Sequence, residues 1–283
     1  MDIQLLLVPF DSGNRNARMG AGPERLLDVG LERTLRDGGH NVHTRIAHLP
    51  PEAWQAEIQT SFELMRMLAT AVREARESQR FPIILAGNCS TAVGTVAGLG
   101  AQSTGVAWFD AHGDFNTPET TSSGFLDGTA VSILTGRCWT QLAATVPEFA
   151  PVADERVCLI GTRDLDSLER ALLDESGVEV VEPKNLRSAL PSALQSIGEH
   201  VDTMYVHLDL DVLDSGVARA NSYALSDGLT LEDTEYALTE IARLFRIGAV
   251  TLSAYDPAGD TSDHAAKAAI GLISTAARVA EQA

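Results

Sequence analysis

Short apolar runs alternating with stretches of helical periodicity constrain this chain more than any other feature. "IQLLLV" (3–8), "PIILAG" (82–87), "GVAWFD" (105–110), "RVCLIG" (156–161), "VEVVE" (178–182), "MYVHLDLD" (204–211) and "AVTLSAYD" (249–256) read as strands. Between them Ile58, Phe62, Met65, Leu68 and Val72 mark one face of a long helix. The segments 22–37, 166–175, 187–199, 230–246 and 263–281 also read as helices. Near-continuous apolar strands separated by helices belong to a mainly parallel sheet covered on both faces, so the fold class is α/β. No internal repeat, low-complexity segment or linker interrupts the 283 residues, and 1–283 reads as one domain.

Charge limits the partners. Acidic residues outnumber basic ones by 39 to 21, for a formal charge of −18. That balance argues against nucleic acid or an anionic membrane and suits cationic substrates or metal ions. Three cysteines, at 89, 138 and 158, are too few and scattered for a disulfide framework, which points to a reducing cytosol. "MDIQLLLVPF" lacks a basic n-region, and no apolar run reaches about 18 residues, so a cytoplasmic location is expected.

Within this frame the chemistry-bearing residues gather at strand ends, where open α/β sheets bind ligands. In "ILAGNCSTAVG" (84–94), Gly87 lets the chain turn, Cys89 follows the strand, and Ser90 or Thr91 is placed to cap the next helix. Cys138 and Cys158 read as core positions. In "WFDAHGDFN", Asp110, His112 and Asp114 lie two apart, so an extended backbone aims all three to one side. Asp209 and Asp211 in "HLDLDVLD" do the same, while Leu208, Leu210 and Val212 face the other way. Converging carboxylates raise one another's pKa values unless a cation neutralises them. Carboxylate oxygens with one imidazole suit Mn²⁺, and shared carboxylates allow two ions roughly 3.5–4 Å apart.

"DAHGDFN" with "HLDLDVLD", preceded by the G-x-x-S turn, resembles the ureohydrolase superfamily of arginase, agmatinase and formiminoglutamase. "MGAGPERLL" (19–27) and "IGTRDLD" (160–166) extend the likeness over nearly the whole chain. The resemblance implies an arginase-like α/β domain with about eight strands, a metal-dependent hydrolase of linear amidine C–N bonds, and one or two Mn²⁺ per chain. It assigns Cys89, Asp110, Asp114 and Asp209 to a first ion and Asp110, His112, Asp209 and Asp211 to a second. A water activated by the ions would attack the guanidino carbon of a small guanidino amino acid. Homo-oligomers, trimers or hexamers, are common in the superfamily.

The substrate-reading segments resemble the arginase branch. "NTPETTSSG" (116–124) resembles the loop that holds an α-carboxylate, with Asn116 and Ser123 at matching places, and Asp166 matches an acidic residue near the α-amino group. Three departures stand out. Cys89 replaces a histidine ligand, and a thiolate is softer than imidazole, so the first site should hold manganese less firmly. Asp127, in "SGFLDG", stands where arginase has a histidine thought to pass a proton to the leaving amine. Asp256 is placed at a glutamate that contacts the guanidinium. These changes resemble the Nω-hydroxy-L-arginine amidinohydrolase branch of D-cycloserine biosynthesis, which implies cleavage of hydroxyarginine to ornithine and hydroxyurea. The alternatives are an ordinary arginase, another guanidino or formimino hydrolase, or a non-catalytic metal- or ligand-binding relative.

Overall fold

The structure is a computed structural model that describes residues 1–49, 56–198 and 201–283. Eight strands form one sheet in which every neighbouring pair is parallel. Across it the order is Asn41–Ile46, Asp2–Val8, Phe81–Ala86, Arg246–Ser253, Thr203–Asp209, Thr104–Phe109, Val157–Ile160 and Glu179–Val181. This is the α/β architecture the apolar runs imply. The strand Asn41–Ile46 was not among those expected. Its sequence, NVHTRI, occupies an edge and buries little more than Val42, so no apolar run announces it.

Strand alternation divides the core in two. Leu5, Leu7, Ile83, Leu85 and Val206 face one side, where the helices Gly22–Val29, Leu31–Asp37, Leu186–Gly198, Leu231–Leu244 and His264–Gln282 supply the covering side chains. Leu6, Val8, Ile84, Trp108 and Tyr205 face the other, packed by Glu57–Glu77, Ala92–Leu99 and Ala130–Leu134. Burying each such aliphatic side chain contributes about 1.5–3 kcal/mol. The helix expected over 22–37 is broken at Gly30, whose φ of 112° lies in the left-handed region open to glycine. The helix expected over 187–199 is observed as Leu186–Gly198, and residue 199 lies outside the described residues. Among the described residues no helix is long and apolar enough to cross a membrane.

The sheet order places the ends of five adjacent strands side by side. Cys89 follows Phe81–Ala86, Ala254 follows Arg246–Ser253, Asp209 ends its strand, Asp110 follows Thr104–Phe109, and Asp164 follows Val157–Ile160. Parallel strands aim these successors at one edge, so residues far apart in sequence meet there.

Candidate metal centre

The turn that carries Cys89 is built from both sides. Gly87 has no room for a side chain: a Cβ there would lie 2.2 Å from the carbonyl oxygen of Phe10. Neither Ser90 nor Thr91 caps the following helix; Thr91 instead donates its hydroxyl to the Asn88 carbonyl at 2.8 Å. The turn's amides are held by Asp127. Its Oδ2 accepts from Cys89 N and Asn88 Nδ2, each at 2.9 Å, and its Oδ1 accepts from Ser90 N at 2.8 Å. With three N–H donors on its two oxygens, Asp127 anchors the Cys89 turn, a role different from that of a free proton carrier.

Two triads of ligand atoms form at the strand ends, Cys89 with Asp110 and Asp209, and Asp110 with His112 and Asp211, each within 4.8 Å. Asp110 belongs to both. Its Oδ1 accepts from His112 N at 2.8 Å and its Oδ2 from Trp108 Nε1 at 3.1 Å. Asp209 accepts from Asp211 N at 2.8 Å and from the Cys89 thiol at 3.0 Å. Asn221 donates to Asp211 at 3.2 Å, and Arg163 pins the loop beyond by donating to the carbonyls of Asp211, Val212 and Leu213. Asp114 stands outside both triads, but its Oδ2 is buried without a hydrogen-bond partner. Its φ of 47° puts it in the left-handed region, uncommon for a side-chain-bearing residue and frequent at functional sites. An orphaned carboxylate oxygen beside oxygen-rich triads fits a hard or borderline divalent cation.

Electrostatics agree with that fit. Burial, and then the charges of neighbouring carboxylates, hold Asp114 and Asp209 well above the usual carboxylate range, and burial also raises Asp110. Burial opposes the charge on His112, yet the carboxylates of Asp110 and Asp211 outweigh it and raise its pKa to about 9. Burial pushes Asp127 up to about 6 against its N–H donors, and Glu169 up to about 7. Cys89 is raised by burial and by Asp209, so without metal it is a thiol.

A pH dependence follows. Each of these pKa values is raised above that of the unfolded chain, so the folded, metal-free protein binds extra protons and loses that stability as pH rises through the folded values. Glu169 alone contributes about 2–3 kcal/mol of this. The Tm of the metal-free protein is expected to climb as pH is lowered from about 8 to about 5. A bound divalent cation should release protons and flatten the slope. A metal-free Tm that falls over the same interval would show that the cluster is not repulsive.

The triads open on a cavity of about 270 Å³. Cys89, Asp110, His112, Asp114, Asp209, Asp211, Asp127, Asn116, Ser123 and Asp166 all line it. Asp256 does not: its carboxylate caps the turn at Ala258 N, 3.0 Å away, and Ala254, at φ 62°, faces the cavity instead. Asn116 donates to Asp166 at 3.3 Å. Ser122 donates to both oxygens of Asp166, at 3.0 and 3.1 Å, whereas Ser123 takes the amide of Phe125. Sequence reasoning missed Ser122, Asn221, Tyr223 and Glu169. Only Glu169 carried a signal, the D-x-x-E pattern of a capping box with Asp166 at the start of Ser167–Asp174. Glu169 also accepts from Phe115 N at 2.8 Å, which ties the ligand loop to that helix.

Over its length the chain is similar to known proteins. The profile described as the arginase family matches residues 1–278. The arginase of Bacillus caldovelox is 27% identical, with 96% of each chain covered, and that of Bacillus subtilis is 28% identical, covering 93% of this chain and 92% of its own. The crystal structure of arginase from Bacillus cereus superposes with a TM-score of 0.88 over 98% of each chain at 25% identity.

Proposed function

Because the chain belongs to the arginase family and is a hydrolase of linear amidine C–N bonds, we propose that it cleaves the guanidino group of an arginine-type amino acid with manganese as its metal. We assign Nω-hydroxy-L-arginine, converted with water to ornithine and hydroxyurea, as the preferred substrate. The observation that carries this preference is the Cys89 sulfur within the first triad, 3.0 Å from Asp209.

Cys89, Asp110, Asp114 and Asp209 would hold one ion, and Asp110, His112, Asp209 and Asp211 the other. Bound manganese supplies Lewis acidity and makes water a usable nucleophile near neutral pH. A thiolate in place of imidazole weakens the hold on a hard cation. An N-hydroxyguanidine is less basic than a guanidinium, is more often neutral, and has a carbon that is easier to attack, so it tolerates weaker activation. Asp166, supported by Ser122 and Asn116, offers a carboxylate to the α-ammonium group, and Asn116 and Ser123 offer donors to the α-carboxylate. Asp127 keeps the Cys89 turn in place.

The second reading is an ordinary arginase, favoured by the names of the relatives at 27 and 28% identity. A manganese assay over arginine, hydroxyarginine, agmatine and guanidinobutyrate, with urea and hydroxyurea identified separately, decides between them. Hydroxyarginine should exceed arginine in kcat/KM by about tenfold, and agmatine, which leaves the carboxylate donors unpaired, should fall below arginine by a further tenfold or so. Arginine in first place would select the ordinary arginase. Absence of turnover on every guanidine would remove both readings.

A further inference from the structure

The second triad takes its ligands from two neighbouring strand ends, Asp110 and His112 from one and Asp211 from the other. The ladder between those strands stops at Phe109 and Leu208, so the ligands lie past the paired residues. A third segment, the turn that follows Val157–Ile160, touches both. Its Arg163 donates its main-chain N–H to the Ala111 carbonyl at 2.8 Å, between Asp110 and His112, and Asp164 donates to the same oxygen at 3.0 Å. Thr162 adds its hydroxyl to the His112 carbonyl at 3.1 Å.

The side chain of Arg163 reaches into the segment that carries Asp211. Nη2 donates to the carbonyls of Asp211, Leu213 and Leu225 at 3.0, 3.3 and 3.1 Å, Nη1 to those of Gly161 and Val212 at 3.1 and 3.2 Å, and Nε to that of Ser226 at 3.0 Å. Asp211–Leu213 and Leu225–Ser226 are the two ends of one loop, and between them Asn221 and Tyr223 line the cavity. Asn221 returns to the ligand, donating to Asp211 Oδ2 at 3.2 Å. Gly228 leaves the space for the guanidinium: a Cβ there would lie 2.7 Å from Arg163 Nη2.

We propose that Arg163 is a positioning residue for the second metal site, tying the Asp211 segment and its loop to the segment that bears Asp110 and His112. Charge alone gives no reason for a guanidinium here, because a fixed positive charge beside the site repels a divalent cation. Geometry does. The planar fork carries more donors than any other side chain and holds them at fixed angles, so it joins carbonyls that a flexible ammonium has too few protons to satisfy. Its partners are all main-chain oxygens, so it fixes the path of the backbone from which Asp211 and Asn221 project. Groups of this kind orient ligands without touching the metal.

The inference rests on the metal reading of the triads, and the test separates the two. Metal-free parent, Arg163→Lys and Arg163→Gln are titrated with manganese(II) chloride, with the free ion followed by electron paramagnetic resonance. A His112→Ala protein marks which affinity belongs to the second triad. Both Arg163 variants keep the main-chain bond to Ala111, so the Asp110 segment stays in place. Arg163→Lys, which keeps the charge, should weaken the second site about tenfold, and Arg163→Gln up to about 100-fold, while the site containing Cys89 titrates as in the parent. By charge alone Arg163→Gln should bind manganese more tightly, so the sign of its change tells positioning from charge. Tighter binding in Arg163→Gln, or a second site unchanged in Arg163→Lys, would overturn the assignment. So would an equal loss at both sites, which a merely structural role predicts. If Arg163→Gln fails to fold, Arg163→Lys decides alone. A parent that binds no manganese would instead remove the metal reading, and the inference with it.

Discussion

Asp114→Asn is expected to raise the stability of the metal-free protein while lowering manganese-dependent turnover by about 1,000-fold, since a lost charged ligand is worth several kcal/mol. The opposite signs follow from one observation. Asp114 Oδ2 is buried with no hydrogen-bond partner, and burial together with Asp110, Asp127 and Asp209 holds the group well above the usual carboxylate range. Asparagine keeps the shape, removes the unpaired charge, and is among the side chains that best tolerate the left-handed backbone at φ 47°. The stabilisation should grow as pH rises and the carboxylate is driven toward ionisation, and should fade as pH falls and the aspartate becomes neutral. Thermal melts after chelation, beside steady-state kinetics with added manganese, check both halves. A variant that is less stable without metal would make Asp114 a structural hydrogen-bonding group and would remove it from the ligand set.

Legibility in the sequence tracked burial and periodicity. The central strands could be read because both of their faces are covered, so that Leu5, Leu6, Leu7 and Val8 are all apolar. Asn41–Ile46 could not, because an edge strand exposes polar side chains. Asp110 and His112, and Asp209 and Asp211, were visible as pairs two apart after strands; the structure puts Asp110 and His112 in one triad and divides Asp209 and Asp211 between the two. The place that the family resemblance gave Asp256 does not hold where the chain turns. The backbone reverses at Ala254, which has a left-handed φ, so the residue facing the cavity is Ala254 while Asp256 points back to its own turn. Asp127 illustrates a different limit. Its partners, Asn88, Cys89 and Ser90, lie 37 to 39 residues earlier in the chain, and no local pattern reports that they meet.

The thiol at position 89 should be exchangeable for a histidine, with a gain in manganese and a change of substrate. The turn is held through the backbone amides of Cys89 and Ser90 on Asp127, which Cys89→His leaves untouched, and the cavity of about 270 Å³ beside it gives the larger ring room to extend. Imidazole is neutral where a ligating thiolate is anionic, so the exchange also removes one negative charge from a cluster that already holds Asp110, Asp114, Asp209 and Asp211. Manganese at the first site should be retained through gel filtration in the variant and lost more readily from the parent. Better activation of water should help the less reactive guanidinium more than the hydroxyguanidine, so the ratio of kcat/KM for arginine over hydroxyarginine should rise about 10- to 100-fold. The size depends on residues left in place, because groups acting as a unit do not contribute additively. Parent and variant are compared at fixed manganese and pH, with metal content measured in the same samples. A variant that binds more manganese at an unchanged ratio would confine Cys89 to metal affinity and leave substrate choice to the cavity rim. One that binds less would show that the thiolate is the better ligand in this site.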